Sequence, residues 1–413
     1  MTSRTKPRSG PLSHLRVLDL SRIVAGPWAS QVLADLGADV IKVERPGTGD
    51  DTRSWGPPFL QGREGKATGD SGYFLGVNRG KRSITLNIAT EEGQAIIRKL
   101  ARESDILLEN YKVGALARFG LTYDNLKSEN PKLIYASVTG FGQGGPRATQ
   151  AAYDFMIQAM GGLMSVTGEA DAKPGGGPQK VGVPIVDLMT GMYAAVAVLA
   201  ALARRTQTGK GEYIDLAMLD VQAAFLANQS MNYLISGRTP RRRGNSHPNI
   251  QPQDVYPCAD GHIVIAVGND AQFVKLAAEL GRDDLADDPR FRLNADRVAN
   301  LDALNEIIVA ALAGDSMAGW VARLESAGVP CGPINTVPDL FAEPQIKHRR
   351  MLRELDHPLA GKVPQVVSPM NFRNEPLAFD RPPPLLGEHT GEVLSMLGFS
   401  PAEIEALRVK NVI

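Results

Sequence analysis

The residue best placed for covalent chemistry is Asp187, in the run VGVPIVDLMTGMYAAVAVLAALARR. It is a lone carboxylate at the start of an otherwise apolar, Ala-rich helical pattern. Two readings fit that placement. As an N-cap it would accept backbone N–H bonds. As a nucleophile it would be kept ionised by the helix-terminal N–H groups and the positive end of the dipole, while apolar neighbours strip it of water and raise its reactivity. A second candidate lies in RVLDLSRIVAGPWASQVLADLGADVIKVERP, a strand, turn, helix and strand ending in Glu44. This is the outline of a dinucleotide-binding βαβ unit, with an acidic residue at the right distance to hold a ribose. The outline fails at its glycines. Only Gly26 lies between Leu20 and the helix, so a close approach to a pyrophosphate is not built, and an oxidoreductase role loses its support. The N–H groups at the helix start remain available to another anion.

Arg45, Lys81, Arg82 and Arg118 follow expected strand ends or open helical segments, where open α/β sheets place ligands. Each alone reads as a surface charge; a phosphate-bearing ligand would recruit several together. The histidines, His14, His247, His262, His348, His357 and His389, form no pairing at metal-ligand spacing, and no G-x-S-x-G elbow is present. Neither a metal centre nor serine hydrolysis is expected.

The elements that must position these residues alternate. Strands are expected at 16–20, 39–44, 83–88, 105–110 and 133–141, with helices over Trp28–Leu36 and Glu91–Arg102. Short β-rich runs separated by helical periods predict a parallel sheet with helices on its faces. Segments 45–80 and 168–182 read as long Gly- and Pro-bearing loops. A strand at 212–219 and a helix over Asp220–Ile235 precede a basic, Pro-rich stretch, 237–253, which is the expected domain boundary. Beyond it, a strand at 261–267 and helices near 271–281, 300–313 and 316–327 read as a small α+β unit.

At 413 residues two domains are expected. A hydrophobic fraction of 43% and a charged fraction of 22% describe an ordinary globular chain. Lys and Arg number 45 and so do Asp and Glu, so no net field recruits nucleic acid or an anionic membrane, and an anionic ligand must be held locally. Two cysteines, Cys258 and Cys331, build neither a disulfide framework nor a metal cage, which points to a reducing compartment, the cytoplasm. The basic start MTSRTKPRSG is followed by no apolar stretch of signal-peptide length and reads as a solvated tail. The apolar run Met189–Ala203 falls short of a bilayer span and reads as a buried helix.

Six ordered segments, SRIVAGPWASQVLADLGADVIKVERP, KRSITLNI, ENYKVGALARFGL, YASVTGFGQGGP, VDLMTG and RPPPLLGEHT, resemble the class III CoA-transferase family, which includes formyl-CoA transferase and carnitine CoA-transferase. The resemblance runs from about Leu12 to Ile413. It implies that Asp187 attacks an acyl thioester. It also implies that CoA or acyl-CoA is a substrate, with no permanently bound cofactor and no metal. The CoA contacts it implies are Val24, Ala25, Arg45, Leu86, Asn87, Asn110, Tyr111, Arg118, Thr139 and Gly140; a basic residue often stands where Thr139 does.

The fold implied is α/β, with a Rossmann-like large domain built from N- and C-terminal segments plus a small α+β domain. The boundaries expected are 1–225 for the first part of the CoA-binding domain, 226–329 for the small domain with its linker, and 330–413 for the returning segment. Two such chains would interlace as a homodimer of threaded rings.

Related α-methylacyl-CoA racemases carry a His where this chain has Tyr153, and a phenol is poorly matched to proton exchange beside a thioester. Racemase activity is therefore the alternative, and a formyl- or oxalyl-type transferase a second one, weakened because GNSHPN stands where a glycine run is expected. The runs GNSHPNIQPQDVYPCADGHIVIAVGND, AEPQIKHRRML and RPPPLLGEHT resemble the branch that moves CoA from succinyl-CoA to glutarate-like dicarboxylates. Arg241, Arg242, Arg243 and His247 then offer a cation for a second carboxylate, or simply form an exposed basic linker. A noncatalytic CoA-binding regulator would need no nucleophile.

Overall fold

The computed structural model describes residues 9–377 and 379–413. The basic tail, apart from Ser9 and Gly10, lies outside the described residues. Contacts divide the chain into two units. Among the described residues the first comprises 9–162, 182–227 and 346–413, and the second comprises 163–181 and 228–345. The boundaries thus differ from those expected. The loop 163–181 packs with the second unit, and the return to the first comes at 346 rather than 330.

The first unit is built on six parallel strands, β1 (Arg16–Asp19), β2 (Asp39–Glu44), β3 (Lys81–Thr85), β4 (Ile106–Glu109), β5 (Ile134–Thr139) and β6 (Glu212–Ala217). Their order is β3-β2-β1-β4-β5-β6, every neighbouring pair parallel. Successive side chains point to opposite faces, so both faces need apolar cover. Val17, Val40, Ile106 and Leu108 enter the core under helices α1 (Ala25–Asp35) and α4 (Ile185–Thr208). Leu18, Ile41 and Leu107 enter the opposite core, under α2 (Glu91–Arg102) and the helices near the carboxy terminus. Helix α2 shows why the chain obeys: Thr90 caps it, Glu91 and Glu92 sit at its positive end, Lys99 and Arg102 at its negative end, and Ile96, Ile97 and Leu100 face inward.

Two more helices complete the site side, α3 (Asp154–Met160) and α5 (Met218–Phe225). The single helix expected over Asp220–Ile235 is broken: Ala227 takes a left-handed φ of 45°, and a separate helix, α6, spans Ala227–Ser236. Segment 45–80 is not a bare loop. It holds a short 3-10 turn, a hairpin of Phe59–Gln61 with Ala67–Ser71, and a helix over Gly72–Val77. Helix α4 runs 24 residues, its most apolar 18-residue stretch having a mean hydropathy of 2.0; it is longer than the apolar run suggested and long enough by composition to cross a bilayer, and one face is buried against α1 and the sheet.

The second unit has an antiparallel sheet of β7 (Gln253–Pro257), β8 (His262–Ala266) and β9 (Cys331–Pro333), in the order β9-β8-β7. Helices α7 (Asp270–Glu279), α8 (Leu301–Leu312) and α9 (Met317–Ala327) close its core around Phe273, Phe291 and Trp320.

Candidate active site

Strand order in the first unit reverses between β1 and β4, and the connections leaving their carboxyl ends diverge there, which opens a crevice. Two adjoining clefts of about 150 and 360 Å³ occupy it. The smaller is lined by Val24, Ala25, Asn110, Tyr111, Thr139, Gly140 and Asp187. The larger is lined by Arg45, Leu86, Asn87, Tyr111 and Arg118. Arg22, Tyr111 and Lys112 border both. The CoA contacts implied by the family resemblance all line one cleft or the other.

Asp187 occupies the first turn of α4 and is 9% exposed. It is not the helix cap. Asp154, at the start of α3, caps α4 instead: one carboxylate oxygen accepts the N–H groups of Val186 at 2.7 Å and Asp187 at 3.2 Å, and the other accepts the amide of Gln158 at 2.6 Å. Among the described residues no donor reaches the Asp187 carboxylate. Burial, and then the like charge of Asp154, push its pKa up to about 7. The helix dipole was expected to keep this group ionised; desolvation outweighs it. What results is a buried carboxylate, without a protein donor among the described residues, that ionises near neutral pH.

Helix α4 reaches this place through one backbone approach. A Cβ on Gly191, one turn beyond Asp187, would stand 2.7 Å from the Ala25 carbonyl oxygen and 2.9 Å from the Trp28 side chain. Gly26 does the same for the opposing loop, where a Cβ would stand 2.3 Å from that of Ser21. Helix α1 carries no capping side chain at Val24, so its first N–H groups are left for something in the cleft.

The larger cleft is rimmed by positive charge. Arg45, Lys112 and Arg118 are exposed, and no carboxylate pairs with them among the described residues. Lysine 81 and Arg82 play no part in it. Both lie at the amino end of β3, fully buried: Lys81 bonds Asp19, Asn78 and the Pro27 carbonyl, and Arg82 pairs with Asp39 and Glu392. Glu44 is not free to hold a ribose either. Its oxygens receive Arg53 at 2.7 and 2.8 Å, Ser83 at 2.6 Å and the Asp50 N–H at 2.9 Å.

Arg243 and His247 belong to the second unit and line neither cleft. Arg243 is exposed. The His247 Nδ1 accepts the N–H groups of Asn249 at 3.1 Å and Ile250 at 3.0 Å, and Arg242 is engaged with Asp171 and the Ser165 carbonyl. The sequence reading missed Arg22, Lys112, Met218 and above all Asp154. It also missed Glu109, buried at the end of β4, whose carboxylate accepts the Tyr111 N–H at 2.8 Å and whose pKa burial pushes up to about 7. Asp154 had one signal, its position in AAYDFMIQA beside an apolar helix start.

An open parallel sheet with a cation-rimmed cleft and a buried carboxylate at its switch point defines an α/β protein with a ligand site at the carboxyl ends of its strands. Residues 12–390 match CoA-transferase family III, and the chain belongs to that family. It is 48% identical over 390 residues to a succinate–glutarate CoA-transferase of Agrobacterium fabrum, covering 94% of this chain and 96% of that one. It is 42% identical over 404 residues to the succinyl-CoA:glutarate CoA-transferase of Mus musculus, covering 98% and 90%. Among solved structures, a CAIB/BAIF family protein from Brucella suis superposes with a TM-score of 0.83 at 48% identity, covering 94% of this chain and all of that one.

Proposed function

We propose that this enzyme moves CoA from succinyl-CoA to glutarate or a dicarboxylate of similar length, with Asp187 as the covalent relay. The observation that carries the reading is the Asp187 carboxylate, buried without a hydrogen-bond donor among the described residues, beside the uncapped start of α1. The relatives that use succinyl-CoA and glutarate by name supply the substrates.

Free carboxylates are poor electrophiles, and a relay divides one high barrier into lower ones. Asp187 attacks the thioester carbonyl; the C–S bond breaks, CoA leaves as thiolate, and a succinyl-aspartyl anhydride forms. The thiolate attacks the aspartyl carbonyl, succinate departs, and an aspartyl-CoA thioester remains. Glutarate attacks that thioester and expels the thiolate, which then attacks the glutaryl carbonyl of the new anhydride. Glutaryl-CoA leaves and Asp187 is restored. One thioester replaces another, so no proton or electron is gained or lost. The first N–H groups of α1 stabilise the oxyanions, the rim cations Arg22, Arg45, Lys112 and Arg118 hold the phosphates, and Val24, Ala25, Leu86, Asn87, Tyr111, Thr139 and Gly140 form the walls along CoA. For the second carboxylate the proposed residues are Arg243 as the cation and His247 as a neutral donor through its Nε2–H.

Racemisation is the less supported alternative, since Tyr153 lines the nucleophile's cleft where that chemistry calls for a His. We further infer an interlaced homodimer, supported by exposed apolar side chains on α3 and α4, Phe155, Met156, Met160, Met192, Tyr193 and Val196, and by Tyr153 just before α3. The two cysteines stand unpaired, in keeping with the cytoplasm.

The test is a panel of acceptor acids with succinyl-CoA, read by mass spectrometry of the CoA products. Glutarate should exceed butyrate by on the order of a hundredfold in kcat/KM, the worth of a second carboxylate held by a cation. Equal use of the two acids would remove the dicarboxylate reading. Exchange of the α-hydrogen of a 2-methylacyl-CoA without CoA transfer would point to the racemase.

A further inference from the structure

The loop between β1 and α1 holds a β-branched residue in a conformation it avoids. Ile23 has a φ of 73°, in the left-handed region. It is followed at once by Val24 and Ala25, which line the cleft of Asp187. Nothing in the loop's own sequence favours this bend; a glycine there would. The conformation is imposed from outside.

Five consecutive backbone groups are each engaged by a side chain. The Ser21 N–H donates to Asp19 at 2.9 Å, and the Ser21 carbonyl accepts from Lys42 Nζ at 2.8 Å. Asn110 takes both groups of Arg22, accepting its N–H at 2.9 Å and donating to its carbonyl at 2.7 Å. The Ile23 N–H donates to the Asp50 carboxylate at 3.2 and 3.3 Å. Asp50 is itself fixed by Lys42 at 2.8 Å and by the N–H and hydroxyl of Thr52, with both members of the ion pair buried. The side chains come from the end of β1, from β2, from the loop after β2 and from the end of β4. A buried pair, costly to desolvate, is spent on a short loop.

We propose that Asp50 and Asn110 are positioning residues for CoA transfer, which hold Ile23 in its left-handed conformation and so fix the start of α1 beside Asp187. Neither need touch the reacting atoms. For Asn110 this replaces the role of a direct CoA contact, because its amide is committed to Arg22. Strain retained at a functional site by over-determined surroundings is the pattern observed. The inference rests on the reading of Asp187 and its cleft as the transfer site.

A cycle of substitutions separates positioning from mere support. Glycine adopts the left-handed region without steric cost, so Ile23→Gly removes the need for the clamp. The variants Asp50→Asn, Ile23→Gly and their combination are assayed for succinyl-CoA:glutarate transfer, with melting temperature recorded for each and Asp187→Ala as control. Asp50→Asn should lower kcat/KM at least tenfold in the wild-type background and less than threefold in the Ile23→Gly background, while the melting temperature of the combination stays below wild type. Should Asp50→Asn fail to fold, Asn110→Ala, in a half-buried position, carries the same comparison. An equal or larger loss in the Ile23→Gly background would overturn the clamp. Transfer persisting in Asp187→Ala would instead remove the reading of the site itself, whatever the cycle gives.

Discussion

Asp187 and Asp154 meet at the start of α4 in opposed roles. Asp154 satisfies the helix N–H groups, which frees Asp187 from capping, and its charge also opposes ionisation of Asp187. A carboxylate raised from 3.8 to about 7 binds a proton in the folded state that the unfolded chain has already released. Its contribution to stability therefore falls as pH rises through that window, and above 7 the charge costs on the order of 4 kcal/mol. The proposed relay needs the ionised form. We expect kcat/KM to rise with pH through an apparent value near 7. Asp154→Asn keeps a capping residue but removes the like charge, so its acid limb should move to lower pH. A pH profile of the two enzymes decides the matter; superimposable acid limbs would remove Asp154 as a determinant of the nucleophile's ionisation.

At the scale of elements, the close approach of α4 to α1 is set by Gly191. In a free helix Gly to Ala gains about 1 kcal/mol. Here the added methyl meets the Ala25 carbonyl and Trp28 inside contact distance, and overpacking of this kind costs about 1–3 kcal/mol. The second effect wins, so Gly191→Ala should destabilise the fold and, one turn from Asp187, depress kcat as well. Denaturant unfolding checks the sign; a more stable variant would contradict this packing. The elements themselves were legible because Val17, Leu18, Leu107 and Leu108 are buried on both faces of a parallel sheet, and such runs are read directly from sequence. The clamp was not. Asn110 reaches Arg22 across 88 positions, and Asp154 reaches Asp187 across 33, and neither contact leaves a periodic trace. Segment 45–80 misled for a related reason: Arg53, which anchors it, is buried on Glu44 and Asp70 yet reads as a surface charge.

For the whole molecule, balanced charge leaves an anionic ligand to be held locally, and the crevice at the switch point offers exposed cations on its rim and a buried carboxylate within. The boundary between units was less legible, because contact rather than composition assigns 163–181 to the second unit. Interlaced chains cannot part without extensive unfolding. Dissociation and denaturation should then coincide in sedimentation and circular dichroism across a denaturant series, and a folded monomer at working concentration would refute threading. The central claim is the covalent relay at Asp187, and its most direct test is trapping. The enzyme is incubated with succinyl-CoA, quenched with hydroxylamine and mapped by peptide mass spectrometry. A hydroxamate on Asp187, formed only when acyl-CoA is present, is the predicted result. An unmodified Asp187 peptide from enzyme that turns over fully, or a hydroxamate at another carboxylate, would contradict it.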